Sequence, residues 1–254
     1  TRWVDAVSVP NPNNARRMSW SSHGISDTGK VRRHNEDSML MRPELGLWAV
    51  ADGMGGHAKG DVASQMIVET LRKVHEGTTL ARCIDDIEDR IVEVNTRLLE
   101  KAKESAKRIT IGSTLVILLT YDRYCIYMWA GDSRLYRLRG GQLSRITIDH
   151  SQVELYIEQG LISREEAQSH PHGNMITRAV GAMDELHLDM GIQELEHGDR
   201  YLLCSDGLTK HIPDMELQSE LQAGNTTECC KNLIDMVLSR GAGDNVTAIV
   251  VDIA

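Results

Sequence analysis

Five aspartates stand where apolar runs begin or end: Asp37, Asp52, Asp132, Asp206 and Asp244. Several have glycine beside them, as in Asp52-Gly53, Gly131-Asp132 and Asp206-Gly207. A carboxylate at the end of a rigid strand, followed by exposed backbone, is a good place to hold a hard cation. Oxygen ligands suit magnesium or manganese, and glycine lets a main-chain carbonyl come close as a further ligand. One such aspartate is ordinary, a solvated side chain in a glycine-rich turn. Five of them, on strands that must share a sheet core, point to carboxylates converging on one rim. Such a rim suits two ions about 3.5–4 Å apart that share a bridging carboxylate and lower the pKa of a water towards ~7. The chain carries no nucleophile elbow, P-loop lysine motif or kinase catalytic loop. Metal-activated water is therefore the simplest nucleophile.

A second dense cluster runs Arg32, Arg33, His34, Asn35, Glu36, Asp37, and reads equally well as the charged edge of a hairpin. His170 and His172 bracket Pro171, but two further zinc ligands are missing from their neighbourhood.

The elements that must position these groups are legible in the hydrophobic period. Leu47 to Ala51 predicts a buried strand that stops at Asp52-Gly53, with Gly55-Gly56 after it. From about Gly60 to residue 76 the pattern is helical, with Ala63, Met66, Ile67, Thr70, Leu71 and Val74 on one face and Gly77 at the C-cap position. A second amphipathic helix is expected over about 79–106, its stripe Leu80, Ile84, Ile87, Ile91, Val94 and Leu98 facing a core. Two hairpins follow, one turning at Asp122-Arg123 and the other at Gly140-Gly141. Residues 149–180 are polar, with two short helical pieces and a capping box at Ser163–Glu166. A surface excursion of that length in a compact domain is often functional. GDRYLLCSDGL repeats the strand-then-aspartate design, a last helix spans about 226–240, and Asp244-Asn245 precede a Val/Ile-rich strand. Residues 1–17, with PNPNNARR, read as a flexible leader, and the domain is expected from Met18 to Ala254.

Composition narrows the class. A chain of 254 residues is ample for one large domain, and with no Phe its core must be filled by Leu, Ile, Val and Met. A net charge of −9 argues against nucleic acid or an anionic membrane as the main partner. Five cysteines, an odd number with no C-x-x-C pair, predict reduced thiols. No apolar run is long enough to span a bilayer, and the opening TRWVDAVSVP lacks the apolar stretch of a signal peptide. The expectation is a cytoplasmic monomer.

DTGKVRRHNED, ADGMGGH, GSTLV, AGDSRLYRL, DHS, MITRAVG, CSDGL and GDNVTAIVV occur in the order seen in type 2C metal-dependent serine/threonine protein phosphatases. The chain resembles the compact bacterial members over roughly residues 18–253. The resemblance implies an α+β fold, a four-layer αββα sandwich of two central antiparallel sheets flanked by helix pairs, with metals at one end. It also implies that Asp52 bridges two Mn²⁺ or Mg²⁺ ions. The Gly53 carbonyl would bind one ion and Asp206 and Asp244 the other, while Asp37, with Glu36 beside it, would act through bound water. Arg32 matches the arginine that grips the substrate phosphate, residues 149–176 match the flap, and Asp132 matches the ligand of a weaker third metal. Two departures stand out. Met54 replaces a histidine that eukaryotic relatives use as general acid, and His57 lies three residues too far on to inherit the role. Gly112-Ser113-Thr114 replaces the commoner G-T-T.

The implied activity is hydrolysis of phosphoserine and phosphothreonine on proteins, opposing a cognate serine/threonine kinase. Two other readings compete: a catalytically silent scaffold that binds a kinase or its substrate, and a phosphatase of small phosphomonoesters. A silent relative is expected to lack acidic ligands, and here the set is complete.

Overall fold

Strands buried on both faces read as continuous apolar runs, because each face hides every second residue in a different core. The computed structural model describes residues 18–55, 59–75, 79–104, 109–167, 170–171, 173 and 175–254. The leader 1–17, Gly56, His57, Gly77 and His172 lie outside the described residues.

In chain order, β1 (Trp20–Asp27) and β2 (Asp37–Arg42) are joined by the loop that carries Arg32. β3 (Leu47–Met54) leads into α1 (Gly60–Leu71) and α2 (Leu80–Glu104). The short β4 (Gly112–Ser113) precedes the hairpin of β5 (Leu115–Tyr121) and β6 (Tyr124–Ala130), then that of β7 (Arg134–Arg139) and β8 (Gln142–Arg145). α3 (Gln152–Glu158) and α4 (Arg164–Ala167) belong to the flap. β9 (Asp189–Glu194), β10 (Arg200–Cys204), α5 (Asp206–Thr209), α6 (Asp214–Leu221), α7 (Thr226–Ser239) and β11 (Val246–Ile253) complete the order.

Two antiparallel sheets result. One has the order β1-β11-β10-β7-β8, the other β2-β3-β5-β6-β9 with β4 paired to β3. Alternation along each strand builds three cores. On β3, Leu47, Ala49 and Ala51 face α1 and α2, while Trp48 and Val50 face the other sheet. On β11, Ile249 and Val251 meet them there, and Val246, Ala248 and Val250 pack under α6 and α7. Helix pair, sheet, sheet, helix pair is the four-layer αββα sandwich expected. In the middle core Trp48 is fully buried, and its indole N–H donates to Ser22 Oγ on β1 at 2.9 Å, tying the two sheets together. Each such large side chain contributes about 1.5–3 kcal/mol by leaving water.

The first helix ends earlier than its periodicity predicts, at Leu71. Arg42, from β2, donates to the carbonyls of Arg72 and Val74 at 2.9 and 2.6 Å, so a guanidinium takes acceptors that a further turn would have left unpaired. Val74 stays buried all the same. The hairpin turns fall where expected, with Asp122 at φ 55° and Gly140 and Gly141 at φ 56° and 78°. The five cysteines are buried thiols. Among the described residues, no helix is long and apolar enough to cross a membrane.

Candidate metal centre

Antiparallel register sets the first two carboxylates face to face. Asp37 opens β2 and pairs with Asp52 near the end of β3. Like charges directly opposite on a sheet repel, so this pairing is unfavourable unless a cation lies between or beside them. Asp132 follows β6 by two residues, Asp206 follows β10 by two, and Asp244 precedes β11 by two. All five expected carboxylates therefore reach the same end of the sandwich, from both sheets. Asp52 sits at the centre of the group, within electrostatic reach of each of the other four.

The backbone around Asp52 is fixed by the Gly112-Ser113-Thr114 segment. Thr114 N–H and Ser113 Oγ donate to the Asp52 carbonyl at 2.9 and 3.0 Å, and Asp52 N–H donates to Thr114 Oγ1 at 3.1 Å. Thr114 Oγ1 also meets Ser133 Oγ at 2.7 Å, which ties the Asp132 loop to the same anchor. Gly131 turns there at φ +108°, with Thr114 so near that a Cβ would lie 2.7 Å from it. Gly53 is required for another reason: a Cβ there would fall 2.0 Å from the Gly60 carbonyl, at the start of α1.

Asp37 is gripped on one side only. Its Oδ2 accepts from Ser205 Oγ at 2.8 Å and Thr247 Oγ1 at 2.7 Å, whereas Oδ1 is buried with no partner. Oδ1 of Asp132 and Oδ1 of Asp206 are buried and unpartnered as well. Burial, against the lowering hydrogen bonds of Thr247 and Ser205 and with Asp206 and Asp244 nearby, pushes Asp37 up to about 6. Burial, then Asp206 and Asp149, push Asp132 up to about 7, Lys210 partly offsetting them. Burial first, then its four neighbours, hold Asp52 well above the usual carboxylate range. Buried acceptors without donors, on carboxylates that resist ionising together, are what a pair of hard cations would satisfy. Among the described residues no three His, Cys, Asp or Glu side chains already close on one point. A shared Asp52, the Gly53 carbonyl and water would therefore have to fill out the coordination, as the donor set implies.

The other expected residues take more varied places. Arg32 reaches the rim and lies on Asp244, Nε to Oδ1 at 2.9 Å and Nη2 to Oδ2 at 3.2 Å, with its side chain half exposed. Glu36 stays beside the Gly53 carbonyl: its Oε1 accepts from Gly60 N–H at 3.2 Å and its own carbonyl from Gly53 N–H at 3.0 Å. Met54 ends β3, with no histidine in its place. The flap is a closed excursion, its base an isolated bridge between Ser151 and Ile176. Ser151 caps α3, the Ser163–Glu166 capping box forms, and Glu154 accepts from Arg145 at 2.5 Å and Arg164 at 3.3 Å. A groove of about 920 Å³ runs from Asp132, Asp206 and Lys210 to Ile157 and Arg164 of the flap and Met215 of α6.

Several supporting residues escape motif reading. Asn245 is buried, accepts from Glu36 N–H, and donates to the carbonyls of Thr28 and His34, each at 2.9 Å. It thus fixes the loop that carries Arg32. His150 accepts from Gly131 N–H at 3.1 Å through Nδ1, returns its backbone N–H to the Gly131 carbonyl at 2.9 Å, and stacks on Trp129. It joins the flap base to the Asp132 loop. Both lie in motifs that the sequence displays, GDN and DHS, but their partners are set by tertiary contacts.

Comparison with known proteins identifies the family. The family described as Protein phosphatase 2C matches residues 30–236. The serine/threonine protein phosphatase PstP of Mycobacterium tuberculosis is 36% identical over 228 residues, covering 90% of this chain but 44% of PstP, so the chain spans under half that relative's length. The serine/threonine phosphatase stp of Listeria monocytogenes is 34% identical over 235 residues, covering 89% of this chain and 93% of that protein. Among solved structures, PppA, a key regulatory component of T6SS in Pseudomonas aeruginosa, superposes with a TM-score of 0.86 at 41% identity, covering 93% of this chain and 98% of its own. The catalytic domain of PstP in complex with two manganese ions gives 0.83 at 34% identity, covering 93% and 99%. The αββα sandwich, the carboxylate rim and these matches together make the chain a member of the protein phosphatase 2C family.

Proposed function

We propose that residues 18–254 form one catalytic unit that hydrolyses phosphoserine and phosphothreonine esters on proteins with two Mn²⁺ or Mg²⁺ ions, reversing the work of a serine/threonine kinase. The observation that carries this is the set of three buried, unpartnered carboxylate oxygens, on Asp37, Asp132 and Asp206, around a central Asp52. Asp52 and the Gly53 carbonyl would hold one ion, and Asp52, Asp206 and Asp244 the other, with Asp37 oriented by Ser205 and Thr247 to accept from bound water. When bound, such a pair supplies an activated water and charge stabilisation for an in-line displacement at phosphorus. Arg32, now on Asp244, offers a planar fork suited to a phosphate dianion once Asp244 has a cation of its own. Glu36 holds α1 against β3 through Gly60 N–H and Gly53 N–H, and its carboxylate, beside the Gly53 carbonyl, would reach that ion through water. A weaker third ion would bind at Asp132, whose buried Oδ1 lacks a partner, as does Oδ1 of Asp206.

The groove along the flap supports a protein substrate over a small phosphomonoester, since its volume of about 920 Å³ exceeds what one phosphorylated side chain fills. The complete carboxylate set speaks against a silent scaffold. The unit is expected to act as a monomer. The test is hydrolysis of an aryl phosphate and of a phosphothreonine peptide in EDTA, Mg²⁺ and Mn²⁺ in turn. Turnover of both with either ion and none in EDTA is expected. Full activity in EDTA, or a trapped phosphoenzyme, would overturn the reading.

A further inference from the structure

We propose that Arg33, with Lys30 and His34 flanking the Arg32 grip, selects phosphoproteins whose phosphorylated serine or threonine has acidic neighbours. This rests on the two-ion phosphatase reading and names the substrate class of that site. Residues 28–35 read TGKVRRHN, three cations and a histidine with no acid, in a chain whose net charge is −9. Arg32 has the phosphate to hold, whereas Lys30, Arg33 and His34 have no task in that chemistry. The loop is built against the rim. Gly29, at φ +77°, lies so close that a Cβ would fall 2.3 Å from the Asp244 carbonyl oxygen, and Lys30 N–H donates to the Ala242 carbonyl at 2.9 Å. At the other shoulder Asn35 Nδ2 donates to Ser26 Oγ at 2.9 Å, and Asn245 donates to the His34 carbonyl. Between these anchors every residue from Lys30 to His34 is exposed, Val31 at 68%.

Arginines elsewhere on the surface hold carboxylates, as Arg90, Arg123, Arg139, Arg200 and Arg240 do. The side chains of Lys30, Arg33 and His34 make no hydrogen bond or ion pair among the described residues. A guanidinium left free on an anchored backbone keeps its planar fork of donors open to a carboxylate from outside. Substrate geometry brings one there. An extended chain advances about 3.3–3.6 Å per residue, so the two residues on each side of the phosphorylated one lie within about 7 Å of it. With the phosphate at Arg32, Arg33 is the next residue along the loop and Lys30 comes two before. Acidic side chains at those substrate positions meet cations, and basic ones meet like charge. One exposed pair is worth roughly two- to fivefold, so two acting together give about tenfold at low salt.

The experiment compares phosphothreonine peptides that carry Glu, Ala or Lys at the two positions on each side, with an aryl phosphate as the substrate that has no flanks, all at saturating Mn²⁺. For the wild type kcat/KM should fall from Glu to Ala to Lys, about tenfold from first to last and through KM, and the spread should close in about 0.5 M salt. Lys30→Glu combined with Arg33→Glu should reverse the order while aryl phosphate turnover holds. Arg33→Lys, which keeps the charge, should keep the order. A wild type indifferent to the flanks would overturn the proposal, and that measurement needs no variant. So would a double variant that turns over aryl phosphate normally and keeps the wild-type order among peptides. Either result leaves the phosphatase reading standing. A wild type that hydrolyses none of these substrates would overturn both.

Discussion

Replacing Asp52 by asparagine should make the metal-free protein more stable at pH 8, while abolishing turnover. Asp52 and Asp37 are register partners, so their Cα atoms are about 4.5–5.5 Å apart. Two carboxylates roughly 5 Å apart repel by about 3 kcal/mol at an effective dielectric of ~20. Asp52 itself is held well above the usual carboxylate range, by burial first and then by Asp37, Asp206, Asp132 and Asp244, so ionising it costs the folded state in the same direction. The sign follows from which state holds the proton. A carboxyl raised in the folded state favours folding below the usual carboxylate range, and that stability is lost as pH rises through about 6 for Asp37 and about 7 for Asp132. The Asp52→Asn change keeps the size of the side chain and removes the central charge, so about 2–3 kcal/mol should return at pH 8. For a domain of this size that is a rise of about 5–10 °C in Tm. Melting in EDTA at pH 8 and pH 5, followed by circular dichroism, measures it. The gap between variant and wild type should be wide at pH 8 and nearly closed at pH 5. Added Mn²⁺ should then raise the wild type much more than the variant. A variant that melts at or below the wild type in EDTA at pH 8, or an equal gap at both pH values, would refute the reasoning.

Arg32→Ala should mainly raise KM for phosphopeptides, because a grip used equally in ground and transition states is uniform binding; steady-state kinetics showing a large fall in kcat at unchanged KM would contradict it. Ser205→Ala combined with Thr247→Val removes both donors that orient Asp37 and should weaken Mn²⁺ binding by about 10–100-fold, seen by calorimetry. Asn245→Ala strands two carbonyls and an amide N–H and should cost about 2–4 kcal/mol in urea unfolding, with kcat/KM falling as the Arg32 loop loosens. Replacing 152–172 by the flap of a relative should shift preference among phosphopeptides while aryl phosphate turnover stays within a few-fold. Equal losses on both substrates would make the flap structural.

What the sequence disclosed and what it hid divide along physical lines. The β3–α1 unit, the long α2 stripe and both hairpins were legible because local period and turn chemistry dictate them. Asp122 and Gly140-Gly141 adopt the left-handed turns that such residues favour. The carboxylates were legible as strand-edge aspartates whose number pointed to one shared rim, though the role of each came from family resemblance, since no local pattern says which strand ends meet. β9 was missed because, as an edge strand, it leaves Met190 and Ile192 exposed and sets Gly191 beside Tyr127, so it shows no buried alternation. α6 buries only Leu217 and Leu221, too few for a stripe. The early end of α1 depends on Arg42 from another strand, and the pairing of Arg32 with Asp244 joins residues 212 positions apart. Such contacts between distant segments have no signature in a window of residues.

The strand that completes the five-stranded sheet is the last in sequence, yet it lies inside the sheet. β11 pairs with β1 on one side and β10 on the other, so Trp20 finds its partner only at Ile253. During synthesis β1 therefore waits through almost the whole chain with its inner edge unpaired, while β2, β3, β5 and β6 can already assemble with α1 and α2. Pairings of such long sequence separation are slow to form, because loop closure precedes the contacts that reward it. Until then the nascent chain exposes an unsatisfied strand edge, the kind of surface that holding chaperones cover. The same delay bears on catalysis. Asp244 comes just before β11, so the carboxylate rim is incomplete until that strand docks, and the proposed ions have no complete site before the fold has closed.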